Sequence, residues 1–320
     1  MRTEQGRNSR LLLGCLAAAC LVATATGSAR AAELRWKFKP GLTLHYTMEQ
    51  TISQRVETED GRALAVDSTQ TIEMTWKVKS VETNGTGVLE QTIDHVITSV
   101  KSPFGKYIYD SKDGKMPDTP GAAESLAVWK ALVGQPFSYR MSPSGALSEI
   151  VVPKSLTSAL KDASKDPEGA GGKPAGGAFS EDALKKMIQQ SSQELPVGEI
   201  EKGKTWTKSS TTPRPPIGSL KFERIYTYDG PAADKPGLDK IALETKVSVV
   251  PDDAADKSLQ LEITNQKTAG GFYFDPKEGR MTGSNFDESL EMTTVAQGIK
   301  TIMKTRNASL LRLDKVEGAE

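Results

Sequence analysis

Period-two alternation is the strongest signal in this chain. From Leu42 onward, Leu42, Leu44, Tyr46, Met48, Ile52 and Val56 alternate with Thr43, His45, Thr47, Glu49, Thr51, Ser53 and Arg55. A second run sets Leu64, Val66, Ile72, Met74, Trp76 and Val78 against Asp67, Thr69, Thr71, Glu73, Thr75 and Lys77. Such alternation specifies strands with one buried face. Glu59-Asp60-Gly61 suits a three-residue hairpin loop with Gly in the left-handed position. That loop places Leu44 opposite Trp76 and Tyr46 opposite Met74. Asn84-Gly85 suits a two-residue turn with positive φ at both positions. It places Trp76 opposite Ile93, Met74 opposite His95 and Ile72 opposite Ile97, so Leu89, Ile93 and Ile97 share the buried face. His95 then points inward beside Met74 while His45 points outward.

Strands of this length twist and curl. The expected fold is mainly β (α+β), a large curved antiparallel sheet or open barrel with about three helices packed on it. Helical spacing covers residues 122–133, with Leu126, Trp129, Ala131 and Leu132 apolar, then residues 155–163. A third helix spans 180–193, with Ser180 as cap and Leu184, Met187 and Ile188 as its stripe. Between the last two, residues 166–178 (DPEGAGGKPAGGA) predict a disordered loop. Strand signals resume at Thr205 and continue over 220–228, 241–250, 259–264, 272–274, 281–292 and 299–313.

One internal echo is present. Residues 105–116 align with 270–281, each an aromatic strand entering an Asp-started turn closed by Gly. A recurrent turn solution and an ancient duplication into two similar half-sheets both account for it.

The first residues read as an export leader. Arg2, Arg7 and Arg10 precede an apolar run over 11–25, followed by Ala29-Arg30-Ala31 as a cleavage site. Fifteen residues fall short of the roughly 20 that a membrane span needs. Residues 1–31 are therefore expected to be removed, leaving one large β-rich domain over 32–320 in the periplasm or cell envelope, with no transmembrane segment. Cys15 and Cys20, the two cysteines of the chain, fall within the leader, so the mature protein has no disulfide and no thiol nucleophile. The chain carries 41 basic and 41 acidic residues, and loss of the leader, with four Arg and one Glu, leaves a net charge of −3. That balance excludes a polybasic nucleic-acid binder.

The stretch Trp36-Lys37-Phe38-Lys39-Pro40-Gly41 with Tyr46, and the later Leu195-Pro196-Val197 with Gly203 and Trp206, resemble motifs of an uncharacterised family of exported bacterial proteins frequent in planctomycetes. That resemblance implies no activity and transfers no catalytic residue. Long curved strands with helices also resemble, more loosely, the half-barrel of periplasmic lipoprotein carriers, an analogy of fold alone.

Candidate chemistry is sparse. The two histidines, His45 and His95, are read onto opposite faces and so cannot share a metal. No His-Glu-x-x-His, Gly-x-Ser-x-Gly or phosphate-binding loop occurs. Asp252, Asp253 and Asp256 read as a solvated acidic loop. No catalytic residue, metal or cofactor is assigned. The leading expectation is a non-enzymatic exported protein binding a lipid or other apolar small molecule, with Tyr46, Met48, Met74, Trp76, Ile93 and His95 as the apolar wall. The alternatives are an extracellular polymer hydrolase using paired carboxylates, and a surface interaction module.

Overall fold

The computed structural model describes residues 31–163, 181–214, 218–251, 259–296 and 298–318. Residues 1–30 of the expected leader (1–31), the expected loop 166–178, the expected helix cap at Ser180 and the expected acidic loop 252–256 lie outside the described residues.

In chain order the elements are β1 (Ala32–Glu33), β2 (Thr43–Thr58), β3 (Ala63–Val81), β4 (Gly87–Ser102), β5 (Gly105–Asp110), α1 (Ala122–Leu132), β6 (Phe137–Met141) and β7 (Leu147–Val151). There follow α2 (Lys154–Ala163), α3 (Glu181–Ser191), β8 (Glu199–Ile200), β9 (Thr205–Arg214), β10 (Gly218–Pro231) and β11 (Asp239–Val250). The chain ends with β12 (Leu259–Asp275), β13 (Arg280–Ala296) and β14 (Ile299–Glu317). Twelve strands form one antiparallel sheet in the order β7-β6-β4-β3-β2-β14-β13-β12-β11-β10-β9, with β5 also on β4. The sheet is open, with β7 and β9 at its edges. Two meanders make it, and the pairing of β2 with β14 joins them. The fold is mainly β with few helices, as the alternation predicts.

The first hairpin has the predicted register: Leu44 faces Trp76 and Tyr46 faces Met74. Across β2 and β3 these residues define the inner face. The second hairpin differs. The Glu82 N–H donates to the Thr86 carbonyl and the Gly85 N–H to Glu82, so the loop has three residues, with Gly85 at φ 83°. Bulges at Lys79 and Asp94 then shift the ladder twice. Met74 faces Ile93, Trp76 faces Gln91, Ile72 faces Val96, Glu73 faces His95 and Thr71 faces Ile97. Ile93 thus shares the inner face with Trp76, whereas His95 and Ile97 turn outward. The expected inward His95 is corrected by the Asp94 bulge. Both histidines lie on the outer face.

The core gathers at one end of the sheet. Tyr46, Tyr226, Phe272 and Phe274 are fully buried, each worth about 1.5–3 kcal/mol of transfer free energy. Trp36 bridges the two arms. Its ring centroid lies 6.4 Å from Trp76 on β3 and 5.6 Å from Phe274 on β12. Those strands are four ladder steps apart, each about 4.8 Å in a flat sheet, so the sheet curls toward this face. The Tyr46 hydroxyl crosses β14 to donate to the Met281 carbonyl at 2.8 Å.

Two extended segments close that end. The Trp36 N–H donates to Pro143 O at 2.8 Å and the Lys37 N–H to Gly279 O at 2.9 Å. The Leu195 N–H donates to Ser144 O at 2.7 Å, and the Trp206 indole N–H to Glu194 O at 2.8 Å. The helices pack over the β4–β7 arm. Tyr109, Ala122 and Leu126 form one cluster, and Val152 and Leu156 anchor a second that takes in Val128, Leu132, Leu184 and Ile188.

The echo shares a turn. Gly114 and Gly279 donate back to the Asp110 and Asp275 carbonyls, with φ 62° and 64°. Asp275 opens a hairpin into β13, whereas after Asp110 the chain leaves the sheet.

Candidate functional site

The predicted wall divides between core, inner face and outer face. Tyr46 is core, its phenol pushed up by burial. Met74 and Trp76 are partly buried against that core, and the Trp76 indole N–H meets no acceptor among the described residues. Met48 is half-buried one row beyond Tyr46, and Ile93 bridges to Val133 after α1. His95 is buried on the opposite face between two carboxylates, with Nε2 2.7 Å from Asp110 and Nδ1 3.3 Å from Glu73. It therefore lines no surface shared with Met74.

The outer-face groups are engaged with one another. The His95 hydrogen bond holds the Glu73 and Asp110 carboxyls below the usual range. The His45 Nε2 lies 3.3 Å from Glu317, and Thr75 connects His45 Nδ1 (3.1 Å) to Asp94 (2.6 Å). Among the described residues no group of three or more His, Cys, Asp or Glu is arranged to hold a metal ion.

Beyond the closed end, the long strands β3, β2, β14, β13 and β12 continue with an inner face that reads as successive cross-strand rows. The row next to the core is Ile72, Met48, Leu311, Ser284 and Phe272. Then come Gln70, Gln50, Ser309, Phe286 and Gly270, followed by Ser68, Ile52, Asn307, Glu288 and Thr268. The fourth row is Val66, Gln54, Thr305, Leu290 and Gln266, and the fifth is Leu64, Val56, Met303, Met292 and Ile263. The fifth row is apolar on all five strands. Polar and mixed rows separate it from the core, at about 27 Å for four steps of two residues. Val56, Met292, Met303 and Ile263 are half-buried, and none belongs to a core cluster.

The intervening carboxamides are ordered by one another: Gln50 Nε2 donates to Asn307 Oδ1 at 2.9 Å, and Gln54 Nε2 lies 3.2 Å from the Met303 sulfur. Glu288 is the one carboxylate in the five rows, and it accepts from the Thr245 hydroxyl at 3.3 Å. A buried acid, Asp239, sits instead in the closed end, its carboxyl pushed up by burial beside Tyr228. A depression of about 430 Å³ lies at mid-strand around Gln50, Gln70, Phe286 and Ser309.

The inner face also has a seam. β11 and β12 pair only over 239–242 and 271–274, then diverge. The Gln266 side chain spans the gap to Val247. Sequence reading missed the fifth row and the seam. Gly270-Gly271 was the available signal for the seam, since two glycines inside a strand mark close backbone approach. A Cβ at Gly271 would stand 2.1 Å from the Ile241 carbonyl oxygen.

Residues 84–235 match the model of a family of unknown function (DUF6263), in agreement with the resemblance to an uncharacterised family. No curated protein matches the chain. Similar solved structures include lipovitellin, studied for its lipid–protein interactions, with TM-score 0.47 and 9% identity, covering 89% of this chain and 26% of that one. An outer membrane channel from Pseudomonas putida F1 has TM-score 0.25 and 8% identity over 87% of this chain and 97% of that one. OpdQ of Pseudomonas aeruginosa has TM-score 0.20 and 8% identity over 84% and 98%. At these scores none of them bears on function. No helix among the described residues is long and apolar enough to cross a membrane.

Proposed function

We propose that this chain is a non-enzymatic exported protein of the periplasm or cell envelope that binds a lipid-like amphiphile on the inner face of its open half. The observation that carries this reading is the row Leu64–Val56–Met303–Met292–Ile263. If the open half were only an extension of the core, apolar positions would run continuously along each strand. They are interrupted by Gln50, Gln54, Gln70 and Asn307 instead. An amphiphile satisfies both zones: its chain covers the apolar row, and its polar group meets carboxamides that donate and accept. Two methionines in the row suit a chain of variable shape. The paired-carboxylate hydrolase is not the reading adopted, because Glu288 stands alone in these rows.

The test is titration of the mature protein with a fluorescent fatty acid, together with lipid extraction of protein purified from its own cells. Saturable binding, with an acyl lipid in the extract, is expected. An empty extract and no saturation would sink the proposal.

A further inference from the structure

The seam between β11 and β12 is a ladder that stops without losing its register. The two strands pair from Asp239–Phe274 to Ala242–Gly271. Each stays paired with its other neighbour well beyond that point, β11 with β10 up to Val250 and β12 with β13 back to Leu259. Continuing the same register places Thr245 opposite Thr268, Lys246 opposite Lys267 and Val247 opposite Gln266. The side-chain bonds across the gap respect it: Gln266 reaches both backbone groups of Val247, and Thr268 reaches the Thr245 carbonyl. The strands have therefore separated sideways without slipping. The separation starts at Gly270-Gly271. Gly270 has φ 133°, which a side chain would strain, and Gly271 is the last paired residue. On the outer face Lys246 and Lys267 are both exposed, and Lys246 turns along its own strand to Glu244 at 3.5 Å. A closed ladder would set these two cations directly opposite each other, which is destabilising.

We infer that the seam is a latched hinge: the arm β9–β11 swings from β12 about Gly270-Gly271, Gln266 is the latch, and the swing admits the amphiphile to the inner face. The arm moves as one piece, because β10 is paired along its length with both β9 and β11. Opening breaks side-chain hydrogen bonds that water replaces at small net cost, and no backbone ladder. The gap also lies beside the ligand rows. Gln266 belongs to the fourth row and Ile263, on the same strand, to the fifth, so widening the seam opens the sheet next to the apolar row. The inference rests on the amphiphile reading of that row and adds its route of entry.

The experiment bridges the seam from outside. Lys246→Cys with Lys267→Cys sets two thiols across the gap on the outer face, in a mature chain with no other cysteine. A short bis-maleimide bridges them, and a monofunctional maleimide caps them in the control. Glu223→Cys with Lys246→Cys, bridged in the same way, ties two residues already paired in the β10–β11 ladder. Stopped-flow mixing with the fluorescent fatty acid gives the association rate. The capped protein and the protein bridged between 223 and 246 are expected to bind as the parent does. The protein bridged across the seam is expected to bind about tenfold more slowly or slower still. Saturable binding at one common rate in all of them would overturn the hinge and leave the amphiphile reading standing. Equal slowing by the two bridges would overturn it as well, since stiffening alone would then account for the effect. No saturable binding in the parent or the capped protein would overturn the amphiphile reading, and the route of entry with it.

Discussion

The Gln266 side-chain amide takes the place of a peptide group beside Val247. Its oxygen accepts from the Val247 N–H at 2.6 Å, and its nitrogen donates to the Val247 carbonyl at 3.1 Å. One side chain thus satisfies both backbone groups where β12 has left β11. The Thr268 hydroxyl adds a 3.4 Å contact to Thr245 O. Gln266→Leu keeps the volume and removes both bonds. Unfolding in urea is expected to show a loss of about 1–3 kcal/mol, and amide exchange at Val247 is expected to accelerate more than in β13. Unchanged exchange at Val247 would show that the seam is held elsewhere.

Tyr46 sits where four strands converge, and its hydroxyl is buried against the Met281 carbonyl. Tyr46→Phe leaves the ring packing intact and strands that acceptor. A destabilisation of about 1–2 kcal/mol is expected, with no change in the m-value, because the surface exposed on unfolding stays the same.

The sheet was legible where turn chemistry and alternation act together. Glu59-Asp60-Gly61 sets a register in which both strands place apolar residues on one face, and the structure has it. The next hairpin fails for a physical reason. Asn84-Gly85 belongs to a three-residue loop, and bulges at Lys79 and Asp94 each absorb a residue without a turn to announce it. The spacing of Ile93 and Val96, three apart and both inward, was the trace of the second bulge. The apolar fifth row was not legible, because β2 meets β14 across more than two hundred residues with no connecting turn to fix the register. The motif residues Trp36, Leu195 and Trp206 prove to brace the closed end, so the stretches most reminiscent of a family report on the fold rather than on a site.

Acid should weaken the anchorage of the turn that follows β5. The Glu73 and Asp110 carboxyls lie below their ordinary values of 4.5 and 3.8, chiefly through the His95 hydrogen bond. Carboxyls depressed in the folded state contribute stability that is complete above about pH 5 and disappears as pH falls through the folded values. His95→Asn removes that contribution. The urea midpoints of the two proteins are expected to differ by their full amount above about pH 5 and to converge as pH falls below the ordinary carboxyl range. A constant gap across that range would place the effect of His95 in packing.

Met303 lies at the centre of the apolar row, flanked by Val56 and Met292. It is half-buried and outside the core clusters, so a charged replacement here does not disturb the closed end. Met303→Lys is expected to weaken fatty-acid binding about tenfold or more, since a cation must then be desolvated under the chain. The melting temperature is expected to shift by only a few degrees. Leu44→Lys, at a buried position of the core cluster beside Trp76, serves as the contrast: core disruption is expected to lower the melting temperature much further. If Met303→Lys binds the probe as the parent does, the fifth row is not where the chain lies.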